Sequence, residues 1–320
     1  MFFSVIIPVF NRPEELAELL RSLSQQSFRD FEVLVMEDGS TIDSQSIIEQ
    51  FNENLTLSYI YQDNQGQGFA RNDGMKHAKG EFFVILDSDV ILPNNYLELL
   101  KKAVSERNLD AFGGPDASNS DFSILQKAMD FAMTSFWTTG GIRGKLKDPS
   151  KYQARGFNMG VSRKVFQIIG GFLDPNQGED IEYSIRIKKA GFKLELVEEA
   201  FVYHKRKNTL SSFTKQGFSF GRNRVNVSRF HSDAIKAVHF LPTMFLLFCI
   251  SCIATYFLFS PIFYLQMLIL LFWAAAIIIQ SSLRYKSIIV GGLSLVTSVM
   301  QLCSYGSGLV YELFRKQVYG

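Results

Sequence analysis

The sequence predicts a doubly wound, mostly parallel α/β domain followed by transmembrane helices, and three observations carry that expectation. Strand and helix patterns alternate through the first 90 residues, the rhythm of β-α units joined by right-handed crossovers. An apolar run, Phe82-Phe83-Val84-Ile85-Leu86, stops abruptly at Asp87-Ser88-Asp89; a buried parallel strand that ends this way presents carboxylates to the ligand crevice at its carboxyl end. Residues 240–283 and 287–311 contain no Asp, Glu, Lys or Arg, and a spanning helix needs about 20 apolar residues.

Taken in order, residues 4–9 read as a buried strand. Residues 13–25 read as an amphipathic helix with Leu16, Leu19, Leu20 and Leu23 on one face and Pro13 in its first turn, where a missing N–H does no harm. Residues 31–36 form a second strand, followed by Glu37-Asp38-Gly39-Ser40 and a helix near 44–52. A third strand at 55–61, a helix at 68–78 and a fourth strand at 81–86 complete four units. Parallel strands would bring the segments 8–11, 37–40 and 87–89 to one edge. From residue 109 the pattern loosens into a short strand and turn at Ala111-Phe112-Gly113-Gly114-Pro115, a helix at 122–136, a loop rich in Gly, Lys and Ser at 138–152 that should be mobile near the site, and a helix at 163–169. Gln177-Gly178-Glu179-Asp180 then opens an amphipathic helix in which Ile181, Ile185 and Ile187 alternate with Arg186, Lys188 and Lys189.

The totals narrow the function. A net charge of +2 over 320 residues excludes a general nucleic-acid binder. The three cysteines lie inside the uncharged runs, and Cys249-Ile250-Ser251-Cys252 has neither a His nor a second pair beside it, so it reads as packing in lipid. The N-terminus is apolar but short and lacks a basic lead, which marks a strand rather than a signal peptide and keeps the first domain in the cytosol. Gly66-Gln67-Gly68-Phe69-Ala70-Arg71 breaks the dinucleotide fingerprint at its third glycine, and no phosphate-loop motif exists. Nucleotide hydrolases of the phosphate-loop class and nicotinamide dehydrogenases are thereby excluded.

Candidate chemistry sits at the predicted edge. Asp87 and Asp89, two positions apart in a turn, can approach one hard cation, Mg²⁺ or Mn²⁺, whose remaining ligands come from phosphate oxygens and water. The same tripeptide also serves as a turn and cap before the helix near Pro93. Arg71 and Asn72 fall in the first turns of a helix, where a cation reaches a nucleotide or simply meets solvent. Asp180 fits a helix cap and a general base alike.

Beyond Tyr203, His204-Lys205-Arg206-Lys207 precedes a stretch that interleaves Phe213, Phe218, Phe220 and Phe230 with Lys215, Arg222, Arg224 and Arg229. That pattern fits a segment in the headgroup layer, a site for a lipid-linked pyrophosphate, or a solvated basic collar. Ser260-Pro261 divides the first uncharged run into a hairpin of two spans, and Arg284-Tyr285-Lys286 returns the chain to the cytosol. Residues 288–309 are long enough for a third crossing, and Gly291, Gly292, Gly306 and Gly308 suit close helix packing or a re-entrant path. The domains expected are 1–205 catalytic, 206–239 interfacial, 240–312 with two to three transmembrane helices, and a tail at 313–320.

Six motifs occur in an order that resembles family 2 inverting glycosyltransferases of the GT-A fold: Ser4-Val5-Ile6-Ile7-Pro8-Val9-Phe10-Asn11-Arg12; Val35-Met36-Glu37-Asp38-Gly39-Ser40; Asn64 and Gly66 with Ala70-Arg71-Asn72; Asp87-Ser88-Asp89; Gly170-Gly171-Phe172; and Glu179-Asp180. The resemblance covers about residues 1–205. It implies a nucleotide-sugar donor and a divalent metal, Mg²⁺ or Mn²⁺. By the same resemblance Pro8, Asn11, Asp38 and Arg71 hold the nucleotide, Asp87 lies at its ribose, Asp89 with Asp87 carries the metal on the diphosphate, and Asp180 is the catalytic base. Asn158, Glu179, His204, Arg222 and Arg224 are expected to support the acceptor or the active site.

Two departures stand out. The family's usual Asp-Asp pair is Glu37-Asp38 here, which leaves the role of Glu37 open. The Gln-x-x-Arg-Trp motif of processive synthases is absent, with Lys215-Gln216-Gly217 and Gly221-Arg222-Asn223-Arg224 in its approximate place. The chain is in this respect more similar to membrane-attached enzymes that build exopolysaccharide repeat units. The resemblance thus implies single transfer from a UDP-linked sugar to a hydroxyl of a lipid-linked or cell-surface glycan, at the cytoplasmic membrane, with membrane lipids as partners and no nucleic acid. A sugar-phosphate nucleotidyltransferase would want a Gly-rich basic loop that Pro8-Val9-Phe10-Asn11 does not offer. A non-catalytic membrane scaffold would have no use for Asp38, Asp89 and Asp180 at one edge.

Overall fold

The computed structural model describes residues 1–117, 122–139, 152–174, 177–204 and 209–319, the side chains of Ala117, His204 and Tyr319 excepted. Most of the loop expected at 138–152 and the basic run 205–207 lie outside the described residues. The chain forms two units, one from Met1–Asn119 and Lys147–Lys205, the other from Ser120–Leu146 and Arg206–Gly320.

The first unit opens with β1 (Phe3–Val9), α1 (Pro13–Ser24), β2 (Phe31–Asp38), α2 (Gln45–Glu49), β3 (Leu57–Gln62), α3 (Gln67–His77) and β4 (Phe82–Leu86). A short β5 (Val90–Ile91), α4 (Tyr96–Arg107), β6 (Ala111–Gly113) and β7 (Asp116–Ala117) follow. The main sheet has seven strands in the order β3-β2-β1-β4, then β8 (Asn158–Ser162), β6 and β9 (Leu194–Leu196). Strands β1 to β4 are parallel, and β8 runs antiparallel to both β4 and β6. A second sheet joins β5 and β7 through β10 (Val202–His204).

Strands β1, β2 and β4 are buried on both faces, and β1 and β4 accordingly read as continuous apolar runs. Val5, Ile7 and Val9 point into a core shared with Leu16, Leu19, Leu20 and Leu23 of α1 and with Leu97 and Leu100 of α4. Ile6, between them, points into the opposite core with Ala70 and Met75 of α3 and with Tyr183 and Ile187 from the helix at Glu179–Lys189. Each of these large apolar side chains contributes about 1.5–3 kcal/mol by leaving water. The functional consequence is directional: β1, β2 and β4 end side by side, and antiparallel β8 begins at the same edge, with Asn158 opposite Leu86.

The helix expected at 122–136 is present as α5 (Ile124–Thr134), with a turn of α6 (Phe136–Thr139) behind it. It groups with the C-terminal helices, an excursion of the chain within the segment 1–205. The reason is its partners: Thr297 donates to the Ala128 carbonyl at 2.9 Å, and buried Asp130 accepts from the Tyr285 hydroxyl at 2.7 Å and from Arg284 at 3.3 Å.

After α7 (Arg163–Ile169) and α8 (Glu179–Lys189) of the first unit come the remaining helices of the second: α9 (Leu210–Phe230), α10 (Leu241–Leu258), α11 (Ser260–Tyr285) and α12 (Ile288–Tyr319). Three stretches, Ala237–Leu258, Ser260–Tyr285 and Ile288–Val318, are long and apolar enough to cross a membrane. Phe257, Leu258, Leu268, Leu271 and Phe272 stand exposed on α10 and α11, the surface a lipid-facing hairpin presents. The third stretch is one continuous helix of 32 residues, so it has no re-entrant break, and Gly291, Gly306 and Gly308 serve packing. A Cβ on Gly221 would lie 2.1 Å from the Tyr305 carbonyl, and one on Gly308 2.1 Å from the Phe218 carbonyl. Only glycine lets α9 and α12 approach this closely.

Candidate active site

Three strand ends and one helix start build the site. Asp87 and Asp89 leave β4, Asp38 closes β2, Asn11 and Arg12 leave β1, and Glu179 and Asp180 begin α8. Arg71, from α3, is the hub. Its guanidinium is 1% exposed and lies between two carboxylates, with Nη2 2.6 Å from Asp87 Oδ1 and Nη1 2.9 Å from Glu179 Oε1. Burial works against its charge, and Asp87 and Glu179 outweigh that, holding the proton more tightly than usual. Gly156 covers the guanidinium so closely that a Cβ there would meet Nη1 at 2.7 Å.

Asp180 sits half-buried at the first turn of α8. Its Oδ1 accepts from the Ile181 N–H at 2.7 Å and its Oδ2 from the Gly156 N–H at 3.4 Å. Cap and chemistry are therefore compatible, since the same carboxylate bonds its own helix and faces the loop that covers Arg71. Next to it, Glu179 is pushed up to about 7 by burial and by Asp180, against the pull of Arg71.

Asp89 is held by Arg12, whose Nη1 lies 2.6 Å from Oδ2. Asp89 and Asp87, two carboxylates two residues apart, are a donor set that suits a hard divalent metal. Among the described residues no three His, Cys, Asp or Glu side chains form a metal cage. Such a metal would take its other ligands from diphosphate and water, which is how Mg²⁺ is usually held.

A model of glycosyl transferase family 2 matches residues 4–170, just over half of the chain. The chain belongs to glycosyltransferase family 2. It is 38% identical over 105 residues to an uncharacterized glycosyltransferase of Rickettsia bellii, covering 33% of this chain and 15% of that protein. It is 31% identical over 136 residues to the glycosyltransferase GlyG of Streptococcus pneumoniae, covering 41% and 45% of the two. It therefore spans less than half the length of these relatives. A longer match, 26% identical over 234 residues, covers 71% of this chain and 74% of the glycosyltransferase AglE of Haloferax volcanii. Among solved structures, the mannosyltransferase PcManGT of Pyrobaculum calidifontis, in complex with GDP-Man and Mn²⁺, superposes with a TM-score of 0.70 at 18% identity, over 98% of this chain and 87% of that one. The fold of this family 2 chain is thus of the GT-A type, followed by long apolar helices.

Within the family 2 frame, the remaining expected residues divide. Asp38 is 3% exposed and turned inward: Oδ1 accepts from Gln62 Nε2 at 2.7 Å and the Gln65 N–H at 3.0 Å, and Oδ2 from the Gly66 N–H at 2.8 Å. It shapes the turn before α3, where Gly66 has φ +102°. Pro8 is buried within β1, paired with Met36 of β2. Asn158 is fully buried, accepting from the Tyr96 hydroxyl at 2.6 Å and donating to the Ala200 carbonyl at 2.9 Å. In this structure it ties β8 to Tyr96 and to the Ala200 carbonyl. Arg222 and Arg224 lie on α9, where the Arg222 guanidinium is taken by Glu312 at 2.9 Å. The His204 side chain lies outside the described residues.

The open role of Glu37 receives an answer. Fully buried, it accepts from the Ser40 hydroxyl and from the Ser44 N–H at 3.0 Å; burial of the Tyr59 hydroxyl, and after it the charge of Glu37, push that hydroxyl up to about 12. Ser40 in turn accepts from the Asn11 N–H at 2.7 Å. Asn11, with φ +53°, accepts from the Thr41 N–H, the Thr41 hydroxyl and the Ile42 N–H at 2.8–3.1 Å. Asparagine tolerates this left-handed backbone. The loops after β1 and β2 are thereby tied together. Sequence reasoning missed Arg12 and Gly156; the dipeptide Asn11-Arg12 at the end of β1 carried the only available hint for the first.

Proposed function

We propose that the chain is an inverting glycosyltransferase that moves a sugar from a nucleotide-sugar donor to a hydroxyl of a lipid-linked or cell-surface glycan. The observation that carries this reading is the convergence of Asp87 and Asp89 with Asp180 at one sheet edge, joined through Arg71 and Glu179. In our reading Asp180 takes the proton of the acceptor hydroxyl as that oxygen attacks the anomeric carbon from the face opposite the leaving diphosphate. One base without a second nucleophile gives inversion. Asp89, with Asp87 beside it, would hold Mg²⁺ or Mn²⁺ on the diphosphate, where the metal neutralises the charge of the leaving group. PcManGT was solved with GDP-Man and Mn²⁺, and a structure of Staphylococcus aureus TarS, of TM-score 0.51, contains UDP-GlcNAc. Donors of this class suit the edge described here, and we favour a UDP-linked sugar. Exposed apolar helices favour an acceptor carried at a membrane.

The test is Asp180→Asn. The amide keeps the shape and the bond from the Ile181 N–H but accepts no proton, so transfer should fall by roughly 10²–10⁴-fold while donor affinity and folding persist. Release of UDP or GDP from a panel of nucleotide sugars with Mn²⁺ provides the assay. Near-normal release by Asp180→Asn would remove Asp180 as the base, and no release from any donor by the parent chain would remove the reading.

A further inference from the structure

Arg12 has no part in the chemistry above, yet it occupies the carboxylate assigned to the metal. Among the described residues Asp89 is the only carboxylate its guanidinium meets, at 2.6 Å. The two side chains differ in freedom, Arg12 being 39% exposed and Asp89 12%. The backbone beneath Arg12 is fixed, because Asn11 is bonded to Ser40, Thr41 and Ile42 across the neighbouring loop. The geometry is that of an anchored arm with a mobile head: the base of the side chain cannot drift, while the guanidinium can swing into solvent.

We propose that Arg12 is the resident cation of this site, exchanged for the divalent metal when the donor diphosphate arrives. The inference rests on the reading that Asp89 is the metal ligand. Two cations cannot share Oδ2: a metal ligand oxygen lies about 2.1 Å from its ion, and a guanidinium at hydrogen-bond distance from the same oxygen would face that ion at repulsive range. Arg12 must therefore leave before a metal can take Oδ2. A planar guanidinium released from one oxyanion pairs well with phosphate oxygens, which accept its forked donors. A diphosphate would draw Arg12 away and so raise metal affinity, and by linkage the metal would raise affinity for the diphosphate by the same factor. The site would then hold metal poorly without nucleotide, with the carboxylate kept neutralised in the meantime. Arg12 acts here as a positioning residue; it takes no proton.

The experiment uses the full chain in detergent and follows Mn²⁺ binding by the electron paramagnetic resonance of free Mn²⁺, alone and with UDP or GDP. Arg12→Ala should bind Mn²⁺ alone about fivefold more tightly, the competition expected of a partly exposed ion pair. The gain in Mn²⁺ affinity brought by UDP or GDP should shrink by a similar factor. Arg12→Lys, which keeps the charge, should stay near the parent in the first measurement. Arg12→Gln repeats the first arm should the alanine variant not fold. Asp89→Asn separates the two ideas, since it should weaken Mn²⁺ binding with and without Arg12. If Asp89→Asn weakens Mn²⁺ binding but Arg12→Ala and Arg12→Gln change neither the affinity nor the gain, the exchange is refuted while the metal site stands. If Asp89→Asn binds Mn²⁺ as the parent does, the metal reading fails and the exchange with it.

Discussion

Arg71 decides how the residues of the edge behave. A guanidinium buried between two carboxylates is weak evidence of stabilisation by itself, because desolvation offsets the Coulomb gain. What it provides is fixed geometry, since Asp87 at the end of β4 and Glu179 at the start of α8 cannot move independently. Glu179 also gives a pH signature. Its folded value of about 7 lies above the ordinary 4.5, so between these values the folded chain holds a proton that the unfolded chain has lost. The stability from this group is complete below about pH 4.5 and is lost as pH rises through about 7. Glu179→Gln removes the titration, and thermal unfolding of the variant should show a flatter decline between about pH 5 and 7.5 than the parent. An identical slope would place the proton elsewhere.

At the scale of elements, the central strands were legible because burial on both faces writes itself as apolar runs, and α1 because its leucines repeat at helical spacing. Strand β8 was not: Asn158-Met159-Gly160-Val161-Ser162 is short, contains a glycine and alternates weakly, and its antiparallel place between β4 and β6 is a tertiary choice. Asp38 and Asn158 were legible as polar residues in special places but not as inward struts, because partners such as Gly66 and Ala200 are distant in sequence. The Arg71 hub was hidden for the same reason, Glu179 being 108 positions away. Element packing also yields a prediction for α9 and α12. Gly221→Val places a branched side chain where a Cβ already meets the Tyr305 carbonyl at 2.1 Å, so the helices must separate. The variant should unfold in detergent several degrees below the parent, and an unchanged midpoint would show that the helices do not meet at this glycine.

At the scale of the molecule, the second unit joins α5 and α6 from mid-sequence with α9 to α12. Cutting after Lys236 removes α10, α11 and α12 and uncovers the faces of α9 and α5 that pack against α12. The shortened protein should lack a spanning segment yet keep an apolar surface. Alkali should strip it from membranes while salt alone should not. Resistance to alkali would place a spanning segment within residues 1–236.

The excursion of α5 also bears on biosynthesis. Thr297 bonds a carbonyl 169 positions earlier, and Arg284 reaches back 154 to Asp130. A ribosome delivers α5 long before any of these partners exists, and closing so long a loop is a slow step. A nascent chain that has just passed residue 205 can already complete every strand of both sheets, whereas the bonds of α5 to α11 and α12 wait until residues 284–297 have been made. Maturation of the helical unit thus follows that of the sheets, and the interval between the two is when the chain is most open to misassembly.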